Sequence, residues 1–475
     1  MATLSARSLA TFLTGWRLSG AGAAYQSLAD RVRLLVLDGR IPLGTRLPAE
    51  RELAAALGVS RTTVSSAYAA LRDSGHIESL RGSGSVARLP HPSATSAPEP
   101  ADDLLDFSKA TLPAIPGVAA YAERAVMKLP AFVGESGYDP YGVLALREQI
   151  AARYTRRGLP TSPDEVMVTI GAQHAISLVA RAFVARGDRV LVESPSYPHA
   201  FEALRNAGGR LVQVAVTSED GWDETALQQA LQRTSPSLGY LMPDTHNPTG
   251  RRMPHDQRER LVATAARQGT RLVVDETMSE MQLDGSEAPT PFASLGGDLV
   301  ITIGSVGKSV WGGLRIGWIR ANRDDLQRIA RIRFANDLGT PVLDQLIVAE
   351  LMPDMDGILA GRRTQLREGR DLLAALLRRR LPTWRMPEVP GGLTAWVNLG
   401  APISSQVALA ARSEGLVIAA GPRFGIDGVF ERFLRIPFSY PPEELERGVD
   451  ALARAYAAIS RNPIALGAEE LAQIA

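Results

Sequence analysis

Between Leu89 and Asp103 the chain reads LPHPSATSAPEPADD, fifteen residues with four prolines and one large aliphatic side chain. Such a stretch cannot bury enough apolar surface to pack, and it reads as a semi-extended linker. It constrains the 475-residue chain to two separately cored parts, a head over residues 1–88 and a body over 105–475, with residues 89–104 between them. No internal repeat relates the two. No run of about 18 apolar residues occurs, so no segment is expected to span a membrane. The N-terminus, MATLSARSLATFLTGW, interrupts its apolar run with Thr11 and Thr14 and offers no cleavage site, which argues against a secretory signal and for a cytoplasmic location.

Charge is distributed unevenly. Overall the chain balances 52 Lys+Arg against 51 Asp+Glu, which excludes a uniformly basic coat and an acidic disordered tail. Residues 1–88, however, hold eleven arginines, no lysine and six acids, a surplus of five positive charges; the remainder is mildly acidic. A basic head on such a body suits DNA binding, although arginines decorating a helical surface would look the same. Cysteine is absent, which removes disulfides, thiolate metal sites and Cys catalysis together. The six histidines include no H-x-x-x-H pair, so no metal is expected. Only three lysines occur, Lys109, Lys128 and Lys308, among 52 basic residues. A lysine kept in so arginine-rich a chain suggests a need for amine chemistry.

In the head, Leu28, Val32 and Leu35 recur at helical spacing up to Gly39, and Leu53, Ala54 and Leu57 form an apolar face ending at Gly58. Ser60 is a candidate N-cap for a third helix with Val64, Tyr68 and Leu71 inward. Arg61, Thr62, Thr63 and Ser65 then lie on the opposite face, where Arg61 can fork onto a guanine in a major groove. Ile77 to Val86, containing RGSGS, reads as a hairpin or wing. The order LPAERELAAALGVSRTTVSSAYAALRDSGHIESLRGSGSV resembles the winged helix-turn-helix of the GntR family of bacterial regulators. That resemblance implies DNA contacts from Arg51, Ser60, Arg61, Thr62 and Thr63, and from a wing at Arg81, Gly82 and Gly84.

The body alternates apolar runs with helix-like stretches: Val166–Ile170, Val190–Val192, Leu211–Val216, Tyr240–Met242, Leu272–Val274, Leu299–Ile303 and Leu314–Trp318. This predicts an α/β fold with a mainly parallel sheet covered on both faces. Beyond about Asp325 the pattern is mostly helical, with strands at Thr394–Val397 and Phe433–Ile436, which predicts a smaller C-terminal α/β domain. Ligands bind where such strands end. Gly171-Ala172-Gln173 follows a strand and opens a helix, an arrangement that suits a phosphate or serves turn geometry alone. Asp275 ends an apolar strand. Lys308 sits in ITIGSVGKSVWGGLRIGW beside Ser305, Ser309 and Arg315, where a desolvated amine could form a Schiff base or simply occupy an exposed turn.

Together with HNPTG at residues 246–250 and ESPSYPHA at 193–200, these segments occur in the order of fold-type I aminotransferases, which the chain resembles over about residues 105–460. The resemblance implies pyridoxal 5'-phosphate as cofactor, carried on Lys308 as an internal aldimine, with Asp275 at the pyridine nitrogen, Asn247 at the phenolic oxygen and Tyr197 stacked on the ring. It further implies a phosphate site of Gly171, Ala172, Gln173, Ser305 and Arg315, and Arg435 forked onto a substrate carboxylate. Tyr138, in GYDPYG, matches a tyrosine that reaches the neighbouring subunit's phosphate, which implies a homodimer. One departure stands out: Thr277 or Met278 occupies the place of a tyrosine that bonds the phenolic oxygen.

A GntR-like head, a linker and an aminotransferase-like body form the arrangement of the MocR family of regulators. The resemblance implies a regulator that binds double-stranded operator DNA and senses an amine, an amino acid or pyridoxal phosphate. Two alternatives stay open, an active aminotransferase with an autoregulatory head and a non-enzymatic sensor of the vitamin alone.

Overall fold

The computed structural model describes residues 3–13, 16, 24–37, 41, 44–80, 84–88, 104–284, 290–426 and 428–460. The linker segment 89–103, with Arg81 and Gly82 of the wing, lies outside the described residues.

In the head, helix Ala24–Leu37 carries Leu28, Val32 and Leu35 on one side, all buried, because positions three and four apart share a face. Helix Glu50–Leu57 stops at Gly58, whose φ of 62° is a left-handed conformation that side chains resist. Ser60 then caps helix Arg61–Asp73, its Oγ accepting from the Thr63 amide at 3.1 Å. Val64, Ala67, Tyr68 and Leu71 point inward, and the Tyr68 hydroxyl donates to the Pro48 carbonyl at 3.0 Å. Strands Ile77–Leu80 and Gly84–Ala87 pair antiparallel with Leu80 opposite Gly84. Helix Ala6–Phe12 adds a further layer that the apolar pattern did not announce; it is capped by Ser5 and buries Leu9. Thr11 is accommodated within it because its hydroxyl donates to the Arg7 carbonyl at 3.0 Å.

The body is built on an eight-stranded sheet in the order Val166–Thr169, Gly317–Arg320, Val300–Ser305, Arg271–Asp275, Leu238–Leu241, Arg189–Ser194, Arg210–Thr217, Gly221–Trp222. The pairs of Arg271–Asp275 with both its neighbours, and of Arg189–Ser194 with both of its neighbours, are parallel. Gly317–Arg320 runs antiparallel to both strands beside it, and the short Gly221–Trp222 edge is antiparallel as well. The central strands are mostly apolar because both faces are covered, while Arg210–Thr217 near the edge leaves Arg210, Gln213 and Thr217 exposed. Leu272, Val274 and Val300 belong to one core, while Val273, Ile301 and Ile303 belong to the other, the alternation a period of two demands.

One strand departs from its expected place. The run Leu314–Trp318 does not form a strand at its start: Gly312–Leu314 is a 3-10 turn and Arg315 has φ of 52°, so the extended segment is Gly317–Arg320. Past Asn322 the chain is helical through Arg323–Arg333, Val342–Leu351 and Met355–Arg380. A smaller α/β unit follows, in which Thr394–Asn398 pairs antiparallel with Phe433–Pro437. Its Leu416–Val417 pairs in parallel with Leu105–Asp106, so the start of the body is threaded into its last third.

Head and body meet along helix Ala24–Leu37. Arg31 donates to Glu431 Oε1 at 3.0 Å, and the two side chains are 10% and 22% exposed. The same carboxylate accepts from the Ser405 amide at 3.0 Å and from both serine hydroxyls at the start of helix Ser404–Ser413. One acid therefore ties the head to the N-terminus of a body helix.

Candidate functional site

A cavity of about 550 Å³ lies at the carboxyl ends of the parallel strands, where loops from several strands converge. Lys308, in the loop after Val300–Ser305, donates from Nζ to the Ala110 carbonyl at 2.5 Å. Burial lowers its amine to about 8, the Arg435 charge acts in the same direction and Asp275 opposes both. Asp275 closes strand Arg271–Asp275; its Oδ2 accepts from the Tyr240 hydroxyl at 2.7 Å and its Oδ1 from the Thr277 amide at 2.9 Å. The Thr277 hydroxyl also donates to Oδ1. Burial, and then the Asp275 carboxylate, push the Tyr240 phenol well above its ordinary range.

Tyr197, at the start of helix Pro198–Asn206, lines the cavity, and burial pushes its phenol up to about 12. Asn247 joins it from the turn after Leu238–Leu241. Ala172 and Gln173 present the first turn of helix Gly171–Phe183 to the same space. Gly171 stands behind them at φ of 77°, and a Cβ there would approach the Arg315 guanidinium to 3.2 Å. Arg315 donates to the Ile170 carbonyl at 3.2 Å, so it lies across the opening of the helix. Close approach is also needed at Gly317, where a Cβ would stand 2.6 Å from the Gly171 carbonyl carbon. Ser305 donates to the Ile316 carbonyl at 3.0 Å and accepts from the Gly307 amide at 3.0 Å, which fixes the loop that carries Lys308.

Arg435, on strand Phe433–Pro437, is buried, donates to the Ser108 carbonyl and lies 4.7 Å over the Phe424 ring. Burial pulls its guanidinium down to about 10. The structure thus brings Ala172, Gln173, Tyr197, Asn247, Asp275, Lys308 and Arg435 to one cavity, with Gly171, Ser305 and Arg315 behind its floor. Tyr138 does not join them; it is 69% exposed on the surface.

Three contributors escaped the sequence reading. Tyr240 was detectable as a hydroxyl-bearing ring within a fully buried strand, since such a group needs a partner. Segment Ser108–Thr111 and Leu34 of the head also line the cavity, and no local pattern marks residues delivered by long-range packing.

In the head, Arg61 and Thr62 are exposed at the start of helix Arg61–Asp73, and Arg51 is exposed on the helix before it. Ser60 and Thr63 share a hydroxyl–hydroxyl bond of 2.8 Å, so both take part in the cap. Gly84 has φ of 78° and faces the Arg46 guanidinium, an exposed cation at the base of the wing that the motif did not single out.

A half-buried lysine and aspartate at the carboxyl edge of a mainly parallel sheet, behind a winged helix-turn-helix, define a regulator head on an aminotransferase-like body. Residues 112–452 match the aminotransferase class I and II model, and residues 24–86 match that of bacterial regulatory proteins of the gntR family. The chain belongs to the aminotransferase class I and II family, in the MocR-type arrangement with a GntR head. It is 29% identical over 441 residues to the "Uncharacterized HTH-type transcriptional regulator YdcR" of Escherichia coli (strain K12), covering 86% of this chain and 94% of that one. It is 30% identical over 396 residues to the "Probable rhizopine catabolism regulatory protein MocR" of Rhizobium meliloti, covering 76% and 78%. Among solved structures, the alpha-aminoadipate aminotransferase LysN of Thermus thermophilus, complexed with N-(5'-phosphopyridoxyl)-L-leucine, superposes with a TM-score of 0.69 at 29% identity, over 76% of this chain and 93% of that one.

These matches imply pyridoxal 5'-phosphate as the cofactor of the body. The residues fit it. Asn247, Gln173 and Arg435 each keep a buried polar atom without a hydrogen-bond partner among the described residues, close to an amine of lowered basicity. No described helix is long and apolar enough to cross a membrane.

Proposed function

We propose that the chain is a transcription regulator that binds operator DNA through its winged helix and responds to an amine, an amino acid or pyridoxal phosphate held in the body's cavity. The observation that carries this reading is Leu34. A residue of head helix Ala24–Leu37 forms part of the wall that also presents Lys308 and Asp275. A ligand that contacts this wall differently in two placements of the head shifts the equilibrium between them.

Lys308 would hold the cofactor, and Asp275, held by Tyr240 and Thr277, would receive its pyridine nitrogen. Asn247 would bond the phenolic oxygen and Tyr197 would line the ring's side of the cavity. The opening of helix Gly171–Phe183, through Gly171, Ala172 and Gln173, holds the phosphate with Ser305 and Arg315. Arg435 forks onto a ligand carboxylate. When bound, pyridoxal phosphate supplies an aldehyde that captures primary amines reversibly and an electron-withdrawing ring. Thr277 turns its hydroxyl to Asp275, so Asn247 has no tyrosine partner at 277 or 278. That favours holding a ligand over turning it over.

The test is an absorbance titration of the cofactor-loaded protein with amines and keto acids. A spectral change without product supports sensing. Steady keto-acid formation would make the chain a working aminotransferase, and no response to any amine would restrict it to sensing the cofactor.

The lowered basicity of Lys308 sets a pH dependence. Its ammonium form has no lone pair, so uptake of pyridoxal phosphate by the apoprotein should quicken about tenfold per pH unit below about 8 and level off above it. Stopped-flow absorbance checks this; a rate still climbing steeply near the ordinary lysine range would mean the amine is solvated.

Tyr138, exposed on its own chain, is assigned to the phosphate of a second copy, which makes the unit a homodimer. Light scattering should give twice the mass of one chain without DNA. A monomer that takes up cofactor normally would refute the assignment.

A further inference from the structure

The cavity wall carries more positive charge than the cofactor and one carboxylate require. Its described lining includes Lys109, Lys308, Arg412, Arg423 and Arg435, and Asp275 as the one acid. Lys109 is paired outside with Asp106 at 2.9 Å. Lys308 feels the Asp275 carboxylate, Arg435 is buried and donates to the Ser108 carbonyl, and Arg423 has an interaction of its own. That leaves Arg412. It stands in the last turn of helix Ser404–Ser413, where a basic residue is ordinary because it complements the helix dipole. Two features set it apart from an ordinary helix-end arginine. It lines the cavity and makes no ion pair with a described residue, while the nearby Glu414 pairs with Arg454 at 2.6 Å. The same cavity is also lined by the aliphatic side chains of Leu34, Ala408, Val417 and Ile418.

A cavity lined by both aliphatic side chains and an unpaired guanidinium suits a ligand whose methylene chain ends in an anion. We propose that the effector is an amino acid or amine with a second anionic group, a carboxylate, sulfonate or phosphonate, and that Arg412 receives that group. The inference rests on the reading that the cavity binds an amine beside the cofactor, and names the class of that ligand. The volume of about 550 Å³ is in the range of sites that hold whole organic ligands. The planar guanidinium favours a two-oxygen acceptor, which it can grip with two parallel hydrogen bonds.

The position also says what the second anion reaches. Leu34 belongs to the head, and the Arg412 charge is felt at the buried His76 of the head, together with that of Arg33. An anion on Arg412 therefore docks at the seam between head and body, at the other end of the helix whose start Glu431 ties to Arg31. A ligand lacking the second anion leaves this seam as it is.

The test uses full-length, cofactor-loaded protein titrated with matched pairs: L-aspartate and L-asparagine, L-glutamate and L-glutamine, and longer diacids beside their alkyl counterparts. Dissociation constants come from the absorbance change. At least one diacid should bind about tenfold or more tightly than its uncharged partner, since a site built around a charge rejects the analogue that lacks it. Arg412→Gln should bring that ratio close to one and leave the uncharged partner's affinity unchanged, while Arg412→Lys should restore part of it. Circular dichroism confirms that the variants fold, as expected for an exposed position. Equal binding of diacids and uncharged partners, or a ratio that survives Arg412→Gln, overturns the proposal while amine binding itself stands. If no amine of either kind alters the spectrum, the functional reading beneath it falls and the proposal with it.

Discussion

Lys308→Ala should remove covalent cofactor attachment completely and leave the protein folded. The three lysines sit in different surroundings. Lys109 pairs with Asp106 at 69% side-chain exposure, and Lys128 pairs with Glu350 at 63%. Each amine is thus exposed and ion-paired. Lys308 is half-buried, and desolvation has lowered its amine to about 8. Truncation removes one hydrogen bond to the Ala110 carbonyl at a cavity wall, where water can replace it, so little stability is at stake. Borohydride treatment followed by mass spectrometry should find the reduced adduct in the natural chain and none in the variant. Lys308→Arg should fail equally, because a guanidinium stays protonated and cannot act as the nucleophile. Residual cofactor in either variant would be removable by dialysis, held by the phosphate site alone. An adduct mapped to Lys109 or Lys128 in Lys308→Ala would overturn the assignment of the whole cavity.

Much of this site could be read from the sequence because its residues fall at strand ends. Asp275, Asn247, Tyr197 and Ala172 each follow an apolar run directly, and in a parallel sheet all such ends share one edge. Apolar runs covered on both faces also announce their strands without showing which side faces which core, so the two cores could not be separated in advance. The reading failed where geometry departs from pattern. Ile316 and Leu314 look like strand residues, but Arg315 at a positive φ delays the strand to Gly317. Helix Ala6–Phe12 was hidden because threonine reads as a break, although its hydroxyl can bond back to the preceding turn. Leu34 lies within the helix that Leu28, Val32 and Leu35 announce, yet its presence in the cavity wall depends on how head and body pack, which no window of neighbouring residues encodes. The same holds for Tyr240, whose partner Asp275 is 35 positions away.

Arg61→Ala should weaken binding to a selected DNA site by about 1–3 kcal/mol, roughly 5- to 150-fold, the worth of a bidentate contact to a base edge. Arg61 is the first residue after the Ser60 cap, on the exposed side of a helix whose other side buries Val64, Tyr68 and Leu71. Its guanidinium is 73% exposed, and its contact with Glu50 at 3.9 Å is too long and too solvated to hold it. It can therefore turn into a groove without losing a partner of consequence. Arg51 sits on the preceding helix, also exposed, and is expected to contact the phosphate backbone. Arg51→Ala should lower affinity for every sequence alike and reduce the slope of log K against log salt by about one. The measurement is a salt series with both variants on a site selected from a random pool and on unrelated DNA. Both side chains are exposed, so neither change should unfold the head, and circular dichroism provides the control. Losses that fall equally on selected and unrelated DNA in Arg61→Ala would make it a second phosphate contact, and base reading would then have to come from Thr62 or from the wing.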